Sequence, residues 1–478
     1  MNNLGLLSFR IHNFDINKLL GVLSKEKIGF LLESSNDVYN LGRYSFFGIS
    51  PFLIIQSKDG LITEDFEARR SIFRGDIFEE LKKLLEEYRI DTNSSKISFP
   101  FIGGAVGYFS YDLGFFLEKI KRKNPDDLSI PDAWFGLFDV VLCIDHYRDC
   151  ADILSTGFPK RTSRERRKHA LARIDELVNK LDSPYTYRNK DNICQQYPLV
   201  SNFSYLDYVD KVDRALSYIT KGDIYQVNLC QRFSTLTEKS AEELYFNLRQ
   251  VFPVPFGGIL KTGNFEIISG SPERFLRFDG RFLSTRPMKG TRPRSDNDIL
   301  DRRLKRELEN SNKDKAELLM IVDLERNDLG KICKYRTIKV KNLRMIEQYS
   351  SVYQATAQIE GELFSKYDRI DAIKACFPGG SITGCPKIRA MEIIEELESV
   401  RRNIYTGSMG YLSFCGKMDF NILIRSFLKK GRNIYFGVGG GIVFDSKPEL
   451  EYQEILDKAK CLISALRAVS YDSVLVAR

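Results

Sequence analysis

From about residue 203 onwards, amphipathic helical patterns alternate with short apolar runs that follow one another in closely spaced pairs. The helical patterns are Tyr205–Lys221, Ile299–Ile321, Ile370–Cys376, Lys387–Leu397 and Tyr452–Val469. The strand-like runs are Tyr225–Phe233, Glu266–Phe278, Met409–Phe414, Asn421–Leu428 and Asn433–Val438. Neighbouring strands with no helix between them pair antiparallel. The sequence therefore predicts an α+β fold with large antiparallel β-sheets and flanking helices.

The first 185 residues are predicted to be a separate, β-rich domain. Their apolar runs, bounded by turn residues, are Ile28–Leu32, Phe52–Ile55 and Val140–Ile144. Helices are predicted at Ile77–Tyr88 and at residues 160–181, and the apolar stripe of the second is Leu171, Ile174, Leu177 and Leu181. The polar segment 183–202 has two prolines and no periodicity, which is typical of a linker. We therefore expect domains at residues 1–185 and 200–470.

Bulk composition narrows the class of protein. The 478 residues are 43% hydrophobic and 28% charged, which is ordinary for a globular protein. No apolar run approaches the ~18 residues of a membrane span, and the N-terminus does not resemble a signal peptide, so a cytoplasmic protein with no membrane contact is expected. The net charge of +8 is spread thinly, and the basic clusters at 161–169 and 302–306 lie in helix-like sequence. Solvated helix faces explain them better than a nucleic-acid surface.

Cysteine and histidine usage limits the chemistry. The nine cysteines include no CxxC pair, which argues against structural zinc and against a disulfide framework. The three histidines, His12, His146 and His169, all fall in the first 170 residues. Chemistry in the second half must therefore depend on carboxylates, lysine or a metal ion.

Two helical segments carry carboxylates at matching spacing. Asp314 and Glu317 are three residues apart, as are Glu451 and Glu454. Such a pair lies on one face of a helix. Two facing pairs would form an oxygen-rich cage without sulfur or imidazole, which suits Mg²⁺. The alternative is four solvated carboxylates.

Glycine-rich segments at 378–387, 405–411 and 437–445 have two interpretations. Their backbone N–H groups could hold the carboxylates of an anionic substrate, with Lys387 and Arg425 nearby in sequence. Alternatively, they are tight hairpin turns. Lys289 stands in TRPMKGTRPR, where flanking proline and glycine predict a constrained loop. A buried lysine can lose its proton and act as a nucleophile.

Several of these segments belong to motifs that resemble the chorismate-utilising enzymes. The motifs are GDIYQVNLCQRF (222–233), SGSPERFLRF (269–278), TRPMKGTRPR (285–294), DKAELLMIVDLERNDLG (314–330), FPGGSITGCPKIRAMEIIEELE (377–398), IYTGSMGYLSF (404–414) and YFGVGGGIVFDSKPELEYQEILDKA (435–459). They occur in the family's order. LLESS (31–35) and GRYSFFG (42–48) are similar to the family's smaller subdomain. The resemblance implies an anthranilate synthase component I-like chorismate-binding fold.

The resemblance also implies roles for individual residues. Glu317 and Glu454 match magnesium ligands, and Asp314 and Glu451 match residues that hold metal-bound water. The positions that orient the substrate's carboxylates and enolpyruvyl arm are matched by Gly290, Thr291, Tyr405, Arg425 and Gly441. Glu273 corresponds to the general acid for the departing C4 hydroxyl, and Lys289 to the nucleophile that attacks C2.

Three positions indicate which reaction is implied. Isochorismate and salicylate synthases have a lysine base where this chain has Gln226, anthranilate synthases typically have alanine at Lys289, and they have histidine at Gln354. The resemblance therefore favours amination of chorismate at C4, giving 4-amino-4-deoxychorismate for 4-aminobenzoate and folate biosynthesis. Anthranilate formation is the first alternative, and a catalytically idle binding or regulatory subunit is the second.

The ammonia for this reaction is expected to come from another protein. A glutaminase needs an activated cysteine with histidine, and no such motif is present. The resemblance therefore implies a heterodimer in which a separate glutamine amidotransferase subunit delivers ammonia.

Ser34, Pro255 and Phe256 fall where anthranilate synthases hold their inhibitor, and they mark a possible tryptophan pocket.

Overall fold

The computed structural model describes residues 6–12, 14–35, 41–92, 99–183, 197–349 and 352–466. Most of the predicted linker, residues 184–196, lies outside the described residues, as do residues 467–469 of the last predicted helix. No described helix is long and apolar enough to cross a membrane.

The first part of the chain supplies ten strands and four helices among the described residues. In chain order they are β1 (Leu7–Ile11), α1 (Ile16–Lys25), β2 (Ile28–Glu33), β3 (Tyr44–Ile49), β4 (Leu53–Lys58), β5 (Leu61–Phe66), β6 (Arg69–Arg74), α2 (Ile77–Glu87), β7 (Gly104–Phe109), α3 (Leu113–Leu117), β8 (Ala133–Phe138), β9 (Val140–Asp145), β10 (Cys150–Ser155) and α4 (Ser163–Asp182). The helices predicted at Ile77–Tyr88 and 160–181 are confirmed as α2 and α4. Leu171 does not belong to the buried stripe of α4, because it is 48% exposed and Ala170 is buried instead.

The described remainder of the chain supplies fourteen strands and seven helices. They are β11 (Val200–Ser201), α5 (Tyr205–Thr220), β12 (Gln226–Leu236), α6 (Ala241–Val251), β13 (Phe256–Thr262), β14 (Glu266–Ser271), β15 (Arg274–Phe278), β16 (Phe282–Arg286), β17 (Met288–Pro293), α7 (Asp298–Asn310), α8 (Asn312–Gly330), β18 (Lys339–Gln348), β19 (Val352–Glu362), α9 (Arg369–Cys376), β20 (Gly384–Cys385), α10 (Lys387–Leu397), β21 (Ser408–Ser413), β22 (Met418–Asn421), β23 (Ser426–Lys430), β24 (Asn433–Ile442) and α11 (Pro448–Leu466). A 3-10 turn at Gly380–Ile382 precedes β20.

The strands form two large sheets of twelve strands each within the described ranges. The first sheet has the order β1-β10-β9-β3-β2-β13-β14-β23-β24-β12-β11, with β20 also on β12. The second has the order β17-β19-β16-β15-β22-β21-β7-β8-β4-β5-β6, with β18 also on β19. Their registered pairs are antiparallel, so the predicted fold class is confirmed.

Both sheets contain strands from both parts of the chain. Strand β2 pairs with β13 in the first sheet, and β7 pairs with β21 in the second. The residues predicted as two domains, 1–185 and 200–470, therefore share both sheets. The division into two domains stays a prediction about the sequence, and it does not coincide with a boundary between sheets.

Two runs predicted as single strands are broken, and each break presents a residue of interest. The run Glu266–Phe278 divides into β14 of the first sheet and β15 of the second, and Glu273 lies at the crossing. The run Asn421–Leu428 divides into β22 and β23, and Arg425 lies between them with φ +52°. In both places the chain leaves one sheet for the other, which an apolar run alone does not reveal.

The helix predicted at Ile299–Ile321 is two helices, because Ser311 ends α7 and begins α8. Its backbone is extended, and its hydroxyl accepts a hydrogen bond from the amide of Asp314 at 3.2 Å. This is the geometry of a helix N-cap. The cap places Asp314 in the first turn of α8, beside β17.

Candidate active site

The amine of Lys289 and the side chain of Gln226 both approach Gly441 of β24. A Cβ built on Gly441 would lie 3.0 Å from Nζ of Lys289 and 3.3 Å from Cδ and Nε2 of Gln226. The first sheet supplies Gln226 and Gly441, and the second supplies Lys289. Lys289 lies in strand β17, so the expectation of a loop is wrong. The structure brings the proposed nucleophile and Gln226 to one point.

Gly290 shapes the strand that carries Lys289. The register of β17 against β19 shifts between Lys289 and Thr291, and Gly290 has φ +77°. A Cβ there would lie 2.9 Å from Oδ1 of Asp314, so glycine is required for both conformation and space. The bulge redirects the following residues, and Thr291 is exposed.

The glycines at 437–441 lie within strand β24, so the interpretation of this segment as a turn is wrong. A Cβ on Gly437 would lie 2.3 Å from Cγ of Tyr405. A Cβ on Gly439 would lie 2.6 Å from Oδ1 of Asn228 and 2.7 Å from the hydroxyl of Tyr405. The missing side chains form a groove that admits the ring of Tyr405 against the strand. Sequence reasoning found Tyr405 and missed Asn228.

Three polar side chains of the site have buried atoms without a hydrogen-bond partner among the described residues. They are both amide atoms of Gln226, Oδ1 of Asn228 and Oε1 of Glu273. Buried polar groups in folded proteins are nearly always paired. A concentration of unpaired donors and acceptors beside Lys289 is typical of a site for a polar ligand.

Glu273 is a buried carboxyl fixed by its backbone at the crossing between the sheets. Its carbonyl oxygen accepts hydrogen bonds from the amide of Ile422 at 3.0 Å and from the hydroxyl of Ser271 at 3.3 Å. Burial raises the pKa of Glu273 to about 7, against the opposing effects of the Ser381 hydroxyl and the charge of Lys289. A carboxyl with this pKa is substantially protonated at neutral pH, as a general acid must be.

A second buried acid, Glu325 of α8, lies close to Glu273 and was missed at the sequence level. The hydroxyl of Thr285 donates to its Oε2 at 2.7 Å. Burial, the strongest effect, raises the pKa of Glu325 well above its usual range, and the charge of Glu273 acts in the same direction. Its helical spacing from the buried Leu318, Val322 and Leu329 was a readable signal, because it places a carboxyl on the apolar face of α8.

The four carboxylates predicted to form a magnesium site lie on α8 and α11. Burial raises the pKa of Glu317, Lys289 and Lys313 oppose this effect, and Asp314 and Glu454 add to it. Glu317 and Glu454 therefore act on each other although they belong to different helices. Asp314 pairs with Arg292 at 3.0 Å. Lys289 acts on both Glu317 of α8 and Glu454 of α11, so its amine lies near the carboxylates of both helices.

The pair on α11 has unequal surroundings. Glu451 is buried, accepts a hydrogen bond from the Ser446 hydroxyl at 2.6 Å and has a pKa raised by burial. The side chain of Glu454 is 47% exposed and pairs with Lys458 at 2.6 Å, and the charge of Lys458 lowers the pKa of Glu454. A Cβ on Gly440 would lie 3.3 Å from Oε2 of Glu451, so the glycine strand also makes room for this carboxylate.

These residues fit a magnesium ion in the chemistry of their side chains. All four side chains offer hard oxygen ligands, and two carboxylates that repel each other face across the helices. In the described ranges, however, no three acidic, histidine or cysteine side chains lie close enough together to hold a metal. Lys313 and Lys458 neutralise the carboxylates in this arrangement. The magnesium site stays a prediction.

Tyr405 packs against the same glycine strand, and Arg425 lies close enough to Tyr405 to act on it electrostatically. Burial raises the pKa of Tyr405 well above its usual range, and the charges of Arg402 and Arg425 oppose this. Nη1 of Arg425 donates to the carbonyl of Lys458 at 2.9 Å and to Sγ of Cys461 at 2.7 Å. One side of the guanidinium is thus held by α11, which orients the planar group.

The three residues predicted to form a tryptophan pocket do come together. The hydroxyl of Ser34 donates to the carbonyl of Pro255 at 2.7 Å, and both residues line a cavity of about 430 Å³ with Phe256. The wall also includes Arg274, which forms a bidentate pair with Asp419 at 2.9 and 3.0 Å. What this cavity binds stays a prediction.

Comparison with known proteins gives the class to which this fold and site belong. The family model described as "chorismate binding enzyme" matches residues 31–464. The chain therefore belongs to the chorismate-binding enzyme family. The anthranilate synthase component I of Streptococcus pneumoniae TIGR4 has the same fold, with a TM-score of 0.78 and 28% identity over 88% of this chain and 92% of that chain.

Within the family, relatives of two kinds are about equally similar. Aminodeoxychorismate synthase component 1 of Bacillus subtilis is 36% identical over 91% of this chain and 91% of its own length. Anthranilate synthase component 1 of Aquifex aeolicus is 37% identical over 94% of this chain and 91% of its own length. Overall identity does not separate these two reactions, so the separation must come from the site.

Proposed function

We propose that this chain is the chorismate-aminating component of an aminodeoxychorismate synthase, and that it forms 4-amino-4-deoxychorismate. The observation that carries the proposal is the position of Lys289. Its amine and the Gln226 side chain both approach Gly441, and the amine acts electrostatically on Glu273, Glu317 and Glu454. An alanine at this position, as in anthranilate synthases, would supply no nucleophile.

The first chemical step needs a nucleophile at C2 of the ring and an acid at the C4 hydroxyl. The neutral amine of Lys289 forms a bond to C2 of chorismate while the ring double bonds shift and the C4–O bond breaks. Glu273 gives its proton to the departing hydroxyl, which leaves as water. Its pKa of about 7, caused by burial, keeps that proton available near neutral pH.

The second step releases the enzyme. Ammonia forms a bond to C4, the double bonds shift back and the bond between C2 and the lysine nitrogen breaks. A proton from the added ammonia can return to Glu273. The enolpyruvyl group is not involved, so pyruvate stays on the product. Gln226 offers an amide where isochorismate and salicylate synthases have a lysine that activates water, which favours Lys289 over water as the group that attacks C2.

Substrate orientation falls to the residues around the glycine groove. Arg425, held on one side by α11, has a planar fork suited to a carboxylate. The unpaired amide groups of Gln226 and Asn228 offer further hydrogen bonds. Glu317 and Glu454, with Asp314 and Glu451 behind them, would hold Mg²⁺. When bound, Mg²⁺ would neutralise the C1 carboxylate and stabilise charge on the ring.

Ammonia is proposed to come from a separate glutamine amidotransferase subunit. All three histidines lie in the N-terminal part, and two have local partners, since His146 contacts the Ser45 hydroxyl at 2.6 Å and His169 lies 3.5 Å from Asp139. The sequence has no glutaminase motif that joins an activated cysteine to a histidine. The chain alone should therefore use ammonium salts and not glutamine.

The deciding experiment is incubation with chorismate, Mg²⁺ and an ammonium salt, followed by mass spectrometry. The expected product is 4-amino-4-deoxychorismate with its pyruvyl carbons intact. Anthranilate plus pyruvate would reject the proposal in favour of the second candidate, which the equally similar relatives support. Gln354 weighs against that candidate, because it lies opposite Thr291 on β19 where anthranilate synthases have a histidine.

A further inference from the structure

One edge of strand β12, which carries Gln226 and Asn228, lacks a neighbouring strand over part of its length. Side chains form hydrogen bonds with the backbone there. On one side β12 pairs with β24 along its length. On the other side β20 covers only residues 226–227 and β11 only residues 233–234. The stretch between them lacks a neighbouring strand, so its backbone groups need other partners.

Glu398 and Arg402 supply those partners. Oε1 of Glu398 accepts the amide hydrogen of Cys230 at 2.9 Å, and Nη2 of Arg402 donates to the carbonyl of Asn228 at 2.7 Å. The two side chains also bind each other, with Nη2 of Arg402 2.6 Å from Oε1 of Glu398. Both are almost fully buried, at 5% and 2% side-chain exposure.

The remaining donors of Arg402 reach two other segments of the site. Nη1 donates to the carbonyl of Ile382 at 3.0 Å and to the hydroxyl of Thr406 at 3.3 Å. Its guanidinium also stacks on Tyr111 at 4.6 Å from the ring centroid. One side chain therefore joins three segments: β12, the turn at Gly380–Ile382 and the loop at residues 405–406.

Each of these three contact points is at, or next to, a residue of the candidate site. Asn228 itself has an unpaired buried Oδ1 against the glycine groove. Ile382 follows Ser381, whose hydroxyl acts on Glu273. Thr406 follows Tyr405, whose amide also donates to the carbonyl of Arg402 at 3.0 Å. Arg402 lies behind the groups that face the ligand.

We propose that Arg402, held by Glu398, is a positioning residue that sets Asn228, Ser381 and Tyr405 at the distances chorismate requires. The inference rests on the proposed function for its substrate. A buried ion pair is often no more stabilising than an apolar pair of similar volume. Stability alone therefore does not require this pair, whereas a planar fork with one acceptor in each of the three segments fixes their separation.

The test compares Arg402→Lys with wild type in the full chain, using chorismate, Mg²⁺ and an ammonium salt. Lysine keeps the charge but has no planar fork, so it cannot reach all the acceptors at once. The KM for chorismate should increase about tenfold or more, because small displacements of orienting groups are costly. The KM for ammonium and for Mg²⁺ should not change.

The matched control is Arg401→Lys, one residue earlier. Arg401 is also poorly exposed, but it pairs with Asp126 at 3.5 Å and donates to the carbonyl of Asn124, away from β12. It should leave the KM for chorismate unchanged. A merely structural role of Arg402 would reduce the fraction of active enzyme, which lowers kcat and leaves every KM as it was. That result would overturn the proposal.

A milder variant keeps the test decisive if Arg402→Lys does not fold. Thr406→Val preserves the branched shape and removes the hydroxyl that accepts from Arg402 and donates to the carbonyl of Tyr405. It should increase the KM for chorismate severalfold, with a small fall in melting temperature because buried groups lose a partner. An unchanged KM would count against the proposal. The readout is chorismate consumption relative to wild type, whereas product identity tests the proposed function. A wild type that makes anthranilate would reject that function and leave this comparison valid.

Discussion

The amine of Lys289 and the backbone of Gly441 are so close that a Cβ on the glycine would stand 3.0 Å from Nζ. They belong to different sheets, so this contact joins the sheets at the site. Gly441 therefore sets the space in which the lysine can reach a substrate.

The first prediction concerns that space. Gly441→Ala should lower kcat/KM for chorismate about tenfold or more, because its methyl displaces the Lys289 amine and the Gln226 amide. The free energy of unfolding should change by no more than about 1 kcal/mol, since both neighbours are ends of side chains. The control is Gly330→Ala at the end of α8, where a Cβ meets nothing closer than 4.0 Å. Equal activity in both variants would contradict the assignment.

The second prediction concerns covalent chemistry at Lys289. Enzyme given chorismate and Mg²⁺ without ammonia should accumulate an adduct, because only ammonia addition releases the lysine. Peptide mapping after rapid quenching should locate it at Lys289. Lys289→Ala should show no adduct and should form the 4-amino product at least about a hundredfold more slowly. An adduct on another residue, or an unchanged rate in the variant, rejects the nucleophile assignment.

The third prediction concerns magnesium. Glu317→Gln and Glu454→Gln should each increase the Mg²⁺ concentration needed for half-maximal activity by about tenfold or more, since each loses an anionic ligand. The melting temperature without metal should not fall for Glu317→Gln, because burial and the neighbouring carboxylates raise the pKa of Glu317. Glu454→Gln also loses the ion pair with Lys458, so a small fall is expected there. Glu449→Gln, an exposed neighbour on α11, is the control. Full activity of both variants at limiting Mg²⁺ contradicts the site.

The fourth prediction uses the pKa of Glu273, which burial raises to about 7. The neutral carboxyl is favoured in the folded protein, so its contribution to stability is complete below the ordinary pKa near 4.5 and is lost as pH rises through about 7. Glu273→Gln, which stays neutral, should therefore gain up to about 3 kcal/mol over wild type at pH 8.5 and gain little at pH 4.5.

Urea unfolding at both pH values measures this difference. Glu309→Gln on α7 serves as the control, because that carboxylate is 43% exposed in its side chain and should show no such dependence on pH. Equal stability differences for Glu273→Gln at the two pH values would show that Glu273 is not buried as a neutral acid.

The sequence was sufficient for the fold class and for most helices, because helical periodicity is a local property. The helix predicted at Lys387–Leu397 is α10 without a change of bounds. The motifs also identified Lys289, Gln226 and Gly441, which the structure brings to one point.

What the sequence did not predict depends on tertiary packing. The chain crosses from one sheet to the other at Glu273 and at Arg425, within runs that look like single strands. The sequence does not show these crossings, because the buried strands of both sheets contain the same kind of residue. A hairpin turn was one of two interpretations of the glycines of β24, and it is wrong because these glycines make room for the facing Tyr405 ring. Glu325 was overlooked because a carboxyl on an apolar helix face becomes meaningful only beside Glu273.

The pairing of β7 with β21 joins residue 104 to residue 413, near the centre of the second sheet. The first half of the chain therefore leaves the ribosome long before the strands that pair with β2 and β7 have been synthesised. Until then, β2 and β7 present unpaired edges of buried, apolar sequence. Exposure of these edges favours aggregation of the nascent chain over that interval, and pairing between residues far apart in sequence slows folding. Both effects follow from the topology rather than from any weak local element.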